Sequence, residues 1–513
     1  MVKYILLQDN VDINSRVRCG RTAVMLAAED GHKDVVELLV DKGADVSLVD
    51  EAGDNVLHCA CRGGNKELVK YILSNKMVDI DSRGYRDKTP VMTAGQSGHK
   101  EVVELLVKHG ANLLLRDERG DNILHLACKR GRLDVVKYII SLHKLDIDRG
   151  GFKKKTPVML AGQGGHKEVV EVLVKHGANL LLRDERGDNI LHLACWEGHL
   201  GVVKYIISLH KMDIDKGGFE KKTPVMLAGE GGHKEVVEVL VTDGANLALR
   251  NSDYNNILHL TSYGGYVDVV KYVLSQRVVD IDSRGWKRRT AVMIAGMEGH
   301  KGLVELYVKH GAKLSLTDRV GDNILHLACK RGRLDVVKYI ISLHKMDIDK
   351  GAFEKKTPVM LAGERGHKEV VEVLVTDGAN LALRNSDYNN ILHLTSYGGY
   401  VDVVKYVLSQ RVVDIDSRGW KRRTAVMIAG MKGHKGLVEL YVKHGAKLSL
   451  TDRAGDNILL LAVSHVEVVK YILSLGVMNI NVKNRKGKSA AMIARAKGLR
   501  DVIDILVSHG AHT

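Results

Sequence analysis

The sequence predicts an all-α repeat solenoid of about fifteen stacked helix-turn-helix units with hairpin loops, shaped as a curved, elongated rod. Two observations predict this fold. A Thr followed by Pro or Ala recurs at a constant interval, as at Thr22, Thr89 and Thr156, and an Asn recurs at the same interval, midway between successive Thr residues. The 513 residues also include only four Pro, three Phe and three Trp, although 45% are hydrophobic. Several unrelated domains would need linkers and aromatic cores, so the composition favours one helical unit used many times.

The two series define units of about 33 to 34 residues in two alternating kinds. Units of the first kind begin at Thr22, Thr89, Thr156, Thr223, Thr290, Thr357, Thr424 and Ser489. Units of the second kind begin at Asn55, Asn122, Asn189, Asn256, Asn323, Asn390 and Asn457. We expect a partial repeat at residues 1–21, alternating units over residues 22–488 and a capping repeat over residues 489–513. Residues 202–325 and 336–459 differ at only four positions, which indicates a modular array.

The unit that begins at Thr156 shows how each element is predicted. Thr156 is a suitable N-cap, and Pro157 follows at the first helical position, where its missing N–H costs nothing. A glycine-rich break is expected at Gly162–Gly165, after which His166 opens a second helix that Gly177 ends as a left-handed cap. The apolar face of this second helix comprises Val169, Val170, Leu173 and Val174. Each unit is therefore a helical hairpin followed by an extended loop.

These units resemble ankyrin repeats. The stretches TPVMLAG at Thr156, GHKEVVEVLVKHGAN at Gly165 and NILHLAC at Asn122 are similar to the family's TPLHxAA opening and to its second-helix signature. The resemblance covers residues 22–513 and implies a protein-interaction scaffold. We expect it to bind partner proteins through the hairpin loops and the concave face of the array. We also expect that the chain is not an enzyme, because it contains no phosphate-binding or nucleophile motif. One departure is that units of the first kind carry Met in place of the family's His. The resemblance implies a loop-bracing role for the histidines of the second kind, which are His58, His125, His192, His259, His326 and His393.

Positive charge is concentrated in the loops that precede units of the first kind. The whole chain carries a formal charge of +15, whereas eight of these loops alone carry +25. Their ranges are 16–21, 83–88, 149–155, 216–222, 284–289, 350–356, 418–423 and 483–488. The loops that precede the second kind are acidic or near neutral, so neighbouring loops alternate in charge.

Six of the basic loops also carry an aromatic residue, although the chain is poor in aromatics. Aromatic side chains beside Arg or Lys are frequent anchors at protein interfaces, so we expect these loops to bind protein partners that present acidic segments. The candidate partner-binding residues are Tyr85, Arg86, Phe152, Lys153, Lys154, Phe219, Lys221, Trp286, Lys287, Arg288, Phe353, Lys355, Trp420, Lys421 and Arg422.

Other interpretations of the same loops stay open at this point. The acids before them, such as Asp146 and Asp148, could pair with the cations, and each ring could cover the base of its own hairpin. Basic loops with aromatics also suit nucleic acid or another anionic surface, but alternation with neutral loops disfavours this interpretation. A third alternative is a repeat fragment of a larger cytoskeletal or membrane-linked protein, because residues 1–21 resemble the end of a repeat.

The sequence predicts no catalytic residue, no metal site and no cofactor. Most of the 24 His recur at fixed repeat positions, where they would form ladders, whereas a metal site needs ligands that converge. No phosphate-binding or nucleophile motif is present, and no apolar run reaches the roughly 18 residues of a membrane span. Six scattered Cys do not form a disulfide framework. We therefore expect a monomer in a reducing compartment, the cytoplasm or the nucleus.

Overall fold

The computed structural model describes residues 2–5 and 11–512, and every regular element in these residues is helical. This confirms the expected all-α repeat architecture. The chain divides into two compact units, Met1–Ile257 and Leu258–Thr513. Of the partial repeat expected at residues 1–21, residues 1 and 6–10 lie outside the described part, and Val2–Ile5 forms a short helix.

The helices follow one another in pairs. The first helices of the pairs span Ala23–Glu29, Val56–Gly63, Pro90–Ser97, Ile123–Lys129, Pro157–Gln163, Ile190–Trp196, Pro224–Glu230, Ile257–Gly264, Ala291–Glu298, Ile324–Lys330, Pro358–Glu364, Ile391–Gly398, Ala425–Lys432, Ile458–Leu461 and Ala490–Ala496. The second helices span Lys33–Asp41, Lys66–Ser74, Lys100–Lys108, Leu133–Ser141, Lys167–Lys175, Leu200–Ser208, Lys234–Thr242, Val267–Ser275, Lys301–Lys309, Leu334–Ser342, Lys368–Thr376, Val401–Ser409, Lys435–Lys443, Val466–Ser474 and Arg500–Ser508. Short 3-10 turns span Arg18–Gly20, Tyr85–Asp87, Phe152–Lys154, Phe219–Lys221, Trp286–Arg288, Phe353–Lys355 and Trp420–Arg422.

The N-cap and the left-handed cap predicted for the unit at Thr156 both form. The Thr156 hydroxyl accepts a hydrogen bond from the N–H of Met159 at 3.4 Å, and Pro157 occupies the first helical position. Units of the second kind begin in the same way, because the Asn189 side chain accepts from the N–H of His192 at 3.2 Å. Gly177 follows the second helix with φ of +90°, as a left-handed cap requires.

Two details of the unit at Thr156 differ from the prediction. Gly162 lies inside the first helix, which continues to Gln163, so the break is shorter than Gly162–Gly165. A Cβ atom at Gly162 would lie only 2.4 Å from Cγ1 of Ile190, so glycine is needed here because two first helices approach closely. On the second helix, Val169, Val170 and Leu173 are buried, whereas Val174 is only partly buried.

Within each compact unit, a helix packs mainly on its nearest neighbours along the chain. Each first helix contacts the first helix of the next pair and its own second helix, and second helices contact one another in turn. Aliphatic side chains fill these contacts, while Tyr307 and Tyr441 are fully buried and share hydrogen bonds with the hydroxyls of Ser262 and Ser396 at 2.7 and 2.5 Å. The core is therefore a series of neighbour contacts, as expected of a repeat array.

Candidate functional site

The predicted partner-binding residues lie at the 3-10 turns between Tyr85 and Arg422, which we call the basic turns. All of these side chains are exposed. The aromatic ones range from 38% exposed at Phe219 to 56% at Phe353. In a chain whose other large apolar side chains are mostly buried, these rings stand at the surface beside Lys and Arg.

Each basic turn is a tight hairpin closed by backbone hydrogen bonds. In one of them, the N–H of Gly151 donates to the Lys155 carbonyl at 2.9 Å, and the N–H of Lys155 donates to the Phe152 carbonyl at 3.1 Å. The two residues between them, Lys153 and Lys154, have φ of 55° and 58°. Two consecutive left-handed residues normally call for Asn and Gly, so Lys at both positions stores backbone strain.

The strained geometry recurs in the other basic turns. The left-handed pairs are 86–87, 220–221, 287–288, 354–355 and 421–422. The hairpins that precede the second kind of unit avoid this strain in several places, because their left-handed residue is a glycine such as Gly120 or Gly187. Sequence reasoning missed this difference, since Lys and Arg do not indicate a left-handed turn.

Hydrogen bonds tie several of the basic turns to the hairpins before and after them. The N–H of Phe152 donates to a carboxylate oxygen of Asp121 at 2.8 Å, and the Lys153 carbonyl accepts from the N–H of Glu185 at 2.9 Å. The corresponding bond from Tyr85 to Asp54 measures 2.7 Å. The backbone of these turns is thus held by the neighbouring hairpins.

Arginine side chains brace the bases of the hairpins. Nη1 of Arg116 donates to the carbonyl of Gly120 in its own hairpin at 2.9 Å and to that of Gly150 in the next at 3.2 Å. Arg83 and Arg418 bridge two hairpins in the same way. Part of the positive charge is therefore structural, but a carbonyl acceptor does not neutralise it.

The acids that precede the basic turns bind backbone amides. A carboxylate oxygen of Asp148 accepts from the N–H of Asn179 at 2.9 Å, and one of Asp146 accepts from the N–H of Asp148 at 3.0 Å. Within the described residues, no ion pair joins either acid to a cation of the turns. The interpretation in which these acids neutralise the turns therefore finds no support.

The rings of the basic turns stack with cations and stay partly open to solvent. The Arg186 guanidinium lies 4.0 Å from the centroid of the Phe219 ring, and Lys287 lies 4.1 Å from that of Trp286. Because Arg186 belongs to the preceding hairpin, the Phe219 ring also covers part of that hairpin. The rings thus have a packing role on one side and an accessible surface on the other.

In each compact unit, a groove beside the basic turns opens into cavities at repeated positions. One cavity of about 330 Å³ is lined by Trp420, Tyr397, Arg423 and Met431, among others. A second cavity, of about 200 Å³, lies six units earlier in the sequence. It is lined by Phe219 and Trp196, which correspond to Trp420 and Tyr397. Tyr397 and Trp196 occupy the same position in two first helices, and the residue at this position varies between units. Sequence reasoning missed both as site residues, because neither lies in a basic loop.

The cation that follows each of the six basic turns lines these cavities and was also missed as a site residue. It is half-buried, and the chemistry of its partner changes along the chain. Lys222 pairs with Glu230 at 2.9 Å and Arg423 pairs with Asp452 at 3.1 Å, whereas Lys155 donates to the neutral amide of Gln163 at 2.7 Å. Burial lowers the pKa of Lys155. The chemistry of the groove therefore differs from repeat to repeat.

The buried histidines brace the loops, as the family resemblance implies. Nδ1 of His125 lies 2.7 Å from the side-chain oxygen of Asn122, and its Nε2 lies 2.9 Å from the Arg149 carbonyl. Burial lowers the pKa of this imidazole, which favours its neutral form. A second series links consecutive units, since Nε2 of His166 lies 3.2 Å from the Lys129 carbonyl. These contacts give the ladders of His a structural role.

Two other kinds of feature are absent from the described part of the chain. No three His, Cys, Asp or Glu side chains there are grouped so as to hold a metal ion. None of the helices there has the length and apolar character that a membrane crossing demands.

Comparison with known proteins gives relatives that share the repeat. The chain is 30% identical over 488 residues to ankyrin repeat and KH domain-containing protein mask-1 of Caenorhabditis elegans, covering 88% of this chain and 18% of that protein. It is 25% identical over 445 residues to the human transient receptor potential cation channel subfamily A member 1, covering 76% of this chain and 39% of the channel. It thus spans less than two fifths of either relative's length.

A protein-family model also matches nearly all of the chain. This model describes ankyrin repeats in three copies, and its matches span residues 1–84, 78–151, 141–217, 208–285, 292–385, 325–419, 360–452 and 426–513. The helix pairs, the caps and the loop-bracing histidines agree with that match. The chain therefore belongs to the ankyrin-repeat family, whose repeats are protein-interaction modules.

Proposed function

We propose that the chain binds partner proteins through the basic turns and the groove beside them. The observation that carries this proposal is that one exposed aromatic residue recurs at the same position of six hairpins, each time within two residues of an exposed Lys or Arg. Exposed rings next to cations provide large contact area together with charge, which suits anchoring residues at protein interfaces.

Backbone strain at the basic turns supports the same proposal. A non-glycine residue in the left-handed region costs roughly 1 kcal/mol, and each of these turns holds two. Strain of this kind tends to persist at functional sites. Asn and Gly would relieve the strain, but they would remove the charged side chains at these positions, at least one of which is Lys or Arg in every turn. Retention of the charged residues despite the strain supports a use for them.

The chemistry of the turns favours partners with acidic segments. The eight basic loops carry +25, and the acids that precede several of them are bound to backbone amides. A partner with acidic residues would be attracted over several ångströms and oriented along the turns. We propose the cytoplasm or the nucleus as the compartment, since the buried thiols of Cys128, Cys195 and Cys329 are free.

Site-specific photocrosslinking tests the proposal. A photoreactive phenylalanine analogue replaces Trp286 or Trp420 in the full chain, and crosslinked partners are identified by mass spectrometry. Matched control positions are Lys271 and Lys405, which are exposed on second helices of the same two repeat copies. We expect crosslinks to a shared set of proteins at the turns and few at the controls.

Alanine at the same two tryptophans provides the complementary measurement. W286A/W420A removes two anchoring rings that are 42% and 50% exposed, so partner binding should fall at least tenfold while folding is retained. A variant that binds partners as tightly as the parent chain, or turns that crosslink no more than the second helices, would overturn the proposed function.

A further inference from the structure

One cavity beside the basic turns is lined almost entirely by cations and neutral donors. It has a volume of about 350 Å³ and is lined by residues that precede and follow the turn at Tyr85. Its charged lining comprises Asp54, Arg62, Lys88, Arg130 and Arg132. The volume falls in the range of small-ligand sites, and a single carboxylate faces four cations.

The one carboxylate in this cavity is already occupied. Asp54 forms an ion pair with Arg62 and accepts the backbone N–H of Tyr85 at 2.7 Å. Nη1 of Arg62 is buried without a hydrogen-bond acceptor among the described residues, since the Glu29 carboxylate beside it is 3.7 Å away. Asp54 therefore does not neutralise the remaining cations.

The other three cations have no carboxylate partner in the described structure. Nζ of Lys88 donates to the side-chain oxygen of Gln96 at 2.7 Å. Nε of Arg132 donates to the backbone carbonyl of Gln96 at 3.0 Å. No carboxylate of the described residues forms an ion pair with Lys88, Arg130 or Arg132. Ser97 and Thr93 add two hydroxyl groups to the lining. These three cations and two hydroxyl groups are hydrogen-bond donors suited to an anionic group.

An equivalent cavity six units later in the sequence shows how the protein neutralises the counterparts of these cations. In that cavity Glu298 corresponds to Ser97, and Arg333 corresponds to Arg132. The Glu298 carboxylate lies 3.8 Å from the Arg333 guanidinium. Arg289, the counterpart of Lys88, pairs with Asp318 at 3.2 Å. The cavity at Ser97 lacks both ion pairs, which distinguishes it from its internal counterpart.

We propose that the cavity at Ser97 binds the phosphoryl group of a phosphorylated Ser or Thr in a partner protein. Three cations together with two hydroxyls suit a dianion with three acceptor oxygens better than a single carboxylate. The ring of Tyr85 forms one wall and offers an apolar surface to the neighbouring peptide. This inference rests on the proposed function, because the phosphoryl group arrives on a segment bound in the groove.

Binding of a defined probe by the full chain tests the inference. The probe is the peptide Gly-Gly-phosphoSer-Gly-Gly, followed by the broadening of its phosphorus NMR signal. The comparison probes are its unphosphorylated form, the same peptide with Glu and inorganic phosphate. We expect binding of the phosphopeptide, weaker binding of inorganic phosphate and no measurable competition by the Glu peptide at equal concentration.

Two variants taken from the protein's own counterpart cavity locate the site. S97E introduces the carboxylate found at Glu298 and should reduce phosphopeptide binding at least tenfold, with unchanged circular dichroism because Ser97 is only partly buried. E298S should add a second, weaker site. Arg130→Gln, at an exposed side chain, should weaken binding without affecting the fold.

Several outcomes would overturn the inference. These are equal phosphopeptide binding by S97E and the parent chain, equally tight binding of the Glu peptide, or equally tight binding of inorganic phosphate and phosphopeptide. Failure of the proposed function is a separate result, because it appears as missing crosslinks at Trp286 and Trp420 whether or not the probe binds at Ser97.

Discussion

At the scale of single residues, the buried histidines that hold the loops make the stability of the fold depend on pH. His326 and His393 each hold a loop carbonyl through Nε2, with distances of 2.8 Å to Lys350 and 3.1 Å to Ser417. Burial lowers the pKa of both imidazoles to about 4. An unfolded His titrates near 6.5, so the unfolded chain takes up these protons first.

Stability should therefore fall when the pH drops from 7 to 5. The contribution of each neutral His is complete above about pH 6.5 and is lost as the pH falls towards 4, which amounts to about 2 kcal/mol per residue at pH 5. Urea unfolding at the two pH values measures the loss. His393→Leu, which copies the residue found at Leu460, should shrink that loss by about 2 kcal/mol, because one titrating imidazole is removed. An unchanged loss would contradict the assignment of a neutral buried His393.

At the scale of the turn, charge and strain oppose each other. The basic turn at Phe152 places Lys153 and Lys154 in the left-handed region, with φ of 55° and 58°. Replacing them by Asn and Gly supplies the residues that such a turn prefers. We expect K153N/K154G to stabilise the chain by about 1–2 kcal/mol and to weaken partner binding.

A matched variant separates the two effects. K153A/K154A removes the same charges but keeps a side chain at each strained position, so binding should weaken without a gain in stability. Thermal unfolding and crosslinking yield at Trp286 measure the two quantities. If K153N/K154G does not stabilise the chain, the strain assigned to the basic turns is wrong.

At the scale of the helix, replacing glycine by alanine should have opposite effects on stability at two positions, one in a first helix and one in a second helix. Gly162→Ala places a Cβ atom 2.4 Å from Ile190, between two first helices, and should destabilise the chain by about 1–3 kcal/mol. Gly201→Ala lies in an exposed part of a second helix, where the nearest atom, Cδ of Lys167, would be 3.7 Å away. That variant should be neutral or stabilising by about 0.5 kcal/mol. Equal losses in urea unfolding would contradict the close packing of first helices.

The helix pairs and the exposed loops were predictable because the period carries their signal. Thr156, Pro157 and Gly177 mark helix ends by local chemistry, and charge marks the loops. The place of Gly162 inside a helix depends on the approach of Ile190 from another unit, which local sequence does not show. The cavity at Lys88 likewise is lined by residues from several hairpins, so it could not be predicted from the sequence.

At the scale of the whole molecule, contacts between neighbours imply that repeats can be removed without loss of the fold. Residues 202–325 and 336–459 are near copies, so deletion of residues 326–459 joins Leu325 to Leu460 in the same register as the natural junction. We expect the shortened chain to keep its helical signal per residue and to unfold with a smaller denaturant slope, in proportion to the area lost. Loss of helical signal per residue in circular dichroism would contradict a fold stabilised by local contacts.

Binding of partners at the basic turns and the groove beside them is the central claim. Hydrogen exchange followed by mass spectrometry, on the chain alone and with a partner identified by crosslinking, tests it most directly. We expect slower exchange in the basic turns and in the first helices that line the groove, with little change in the second helices. Protection confined to the second helices, with unchanged exchange at the basic turns, would contradict it.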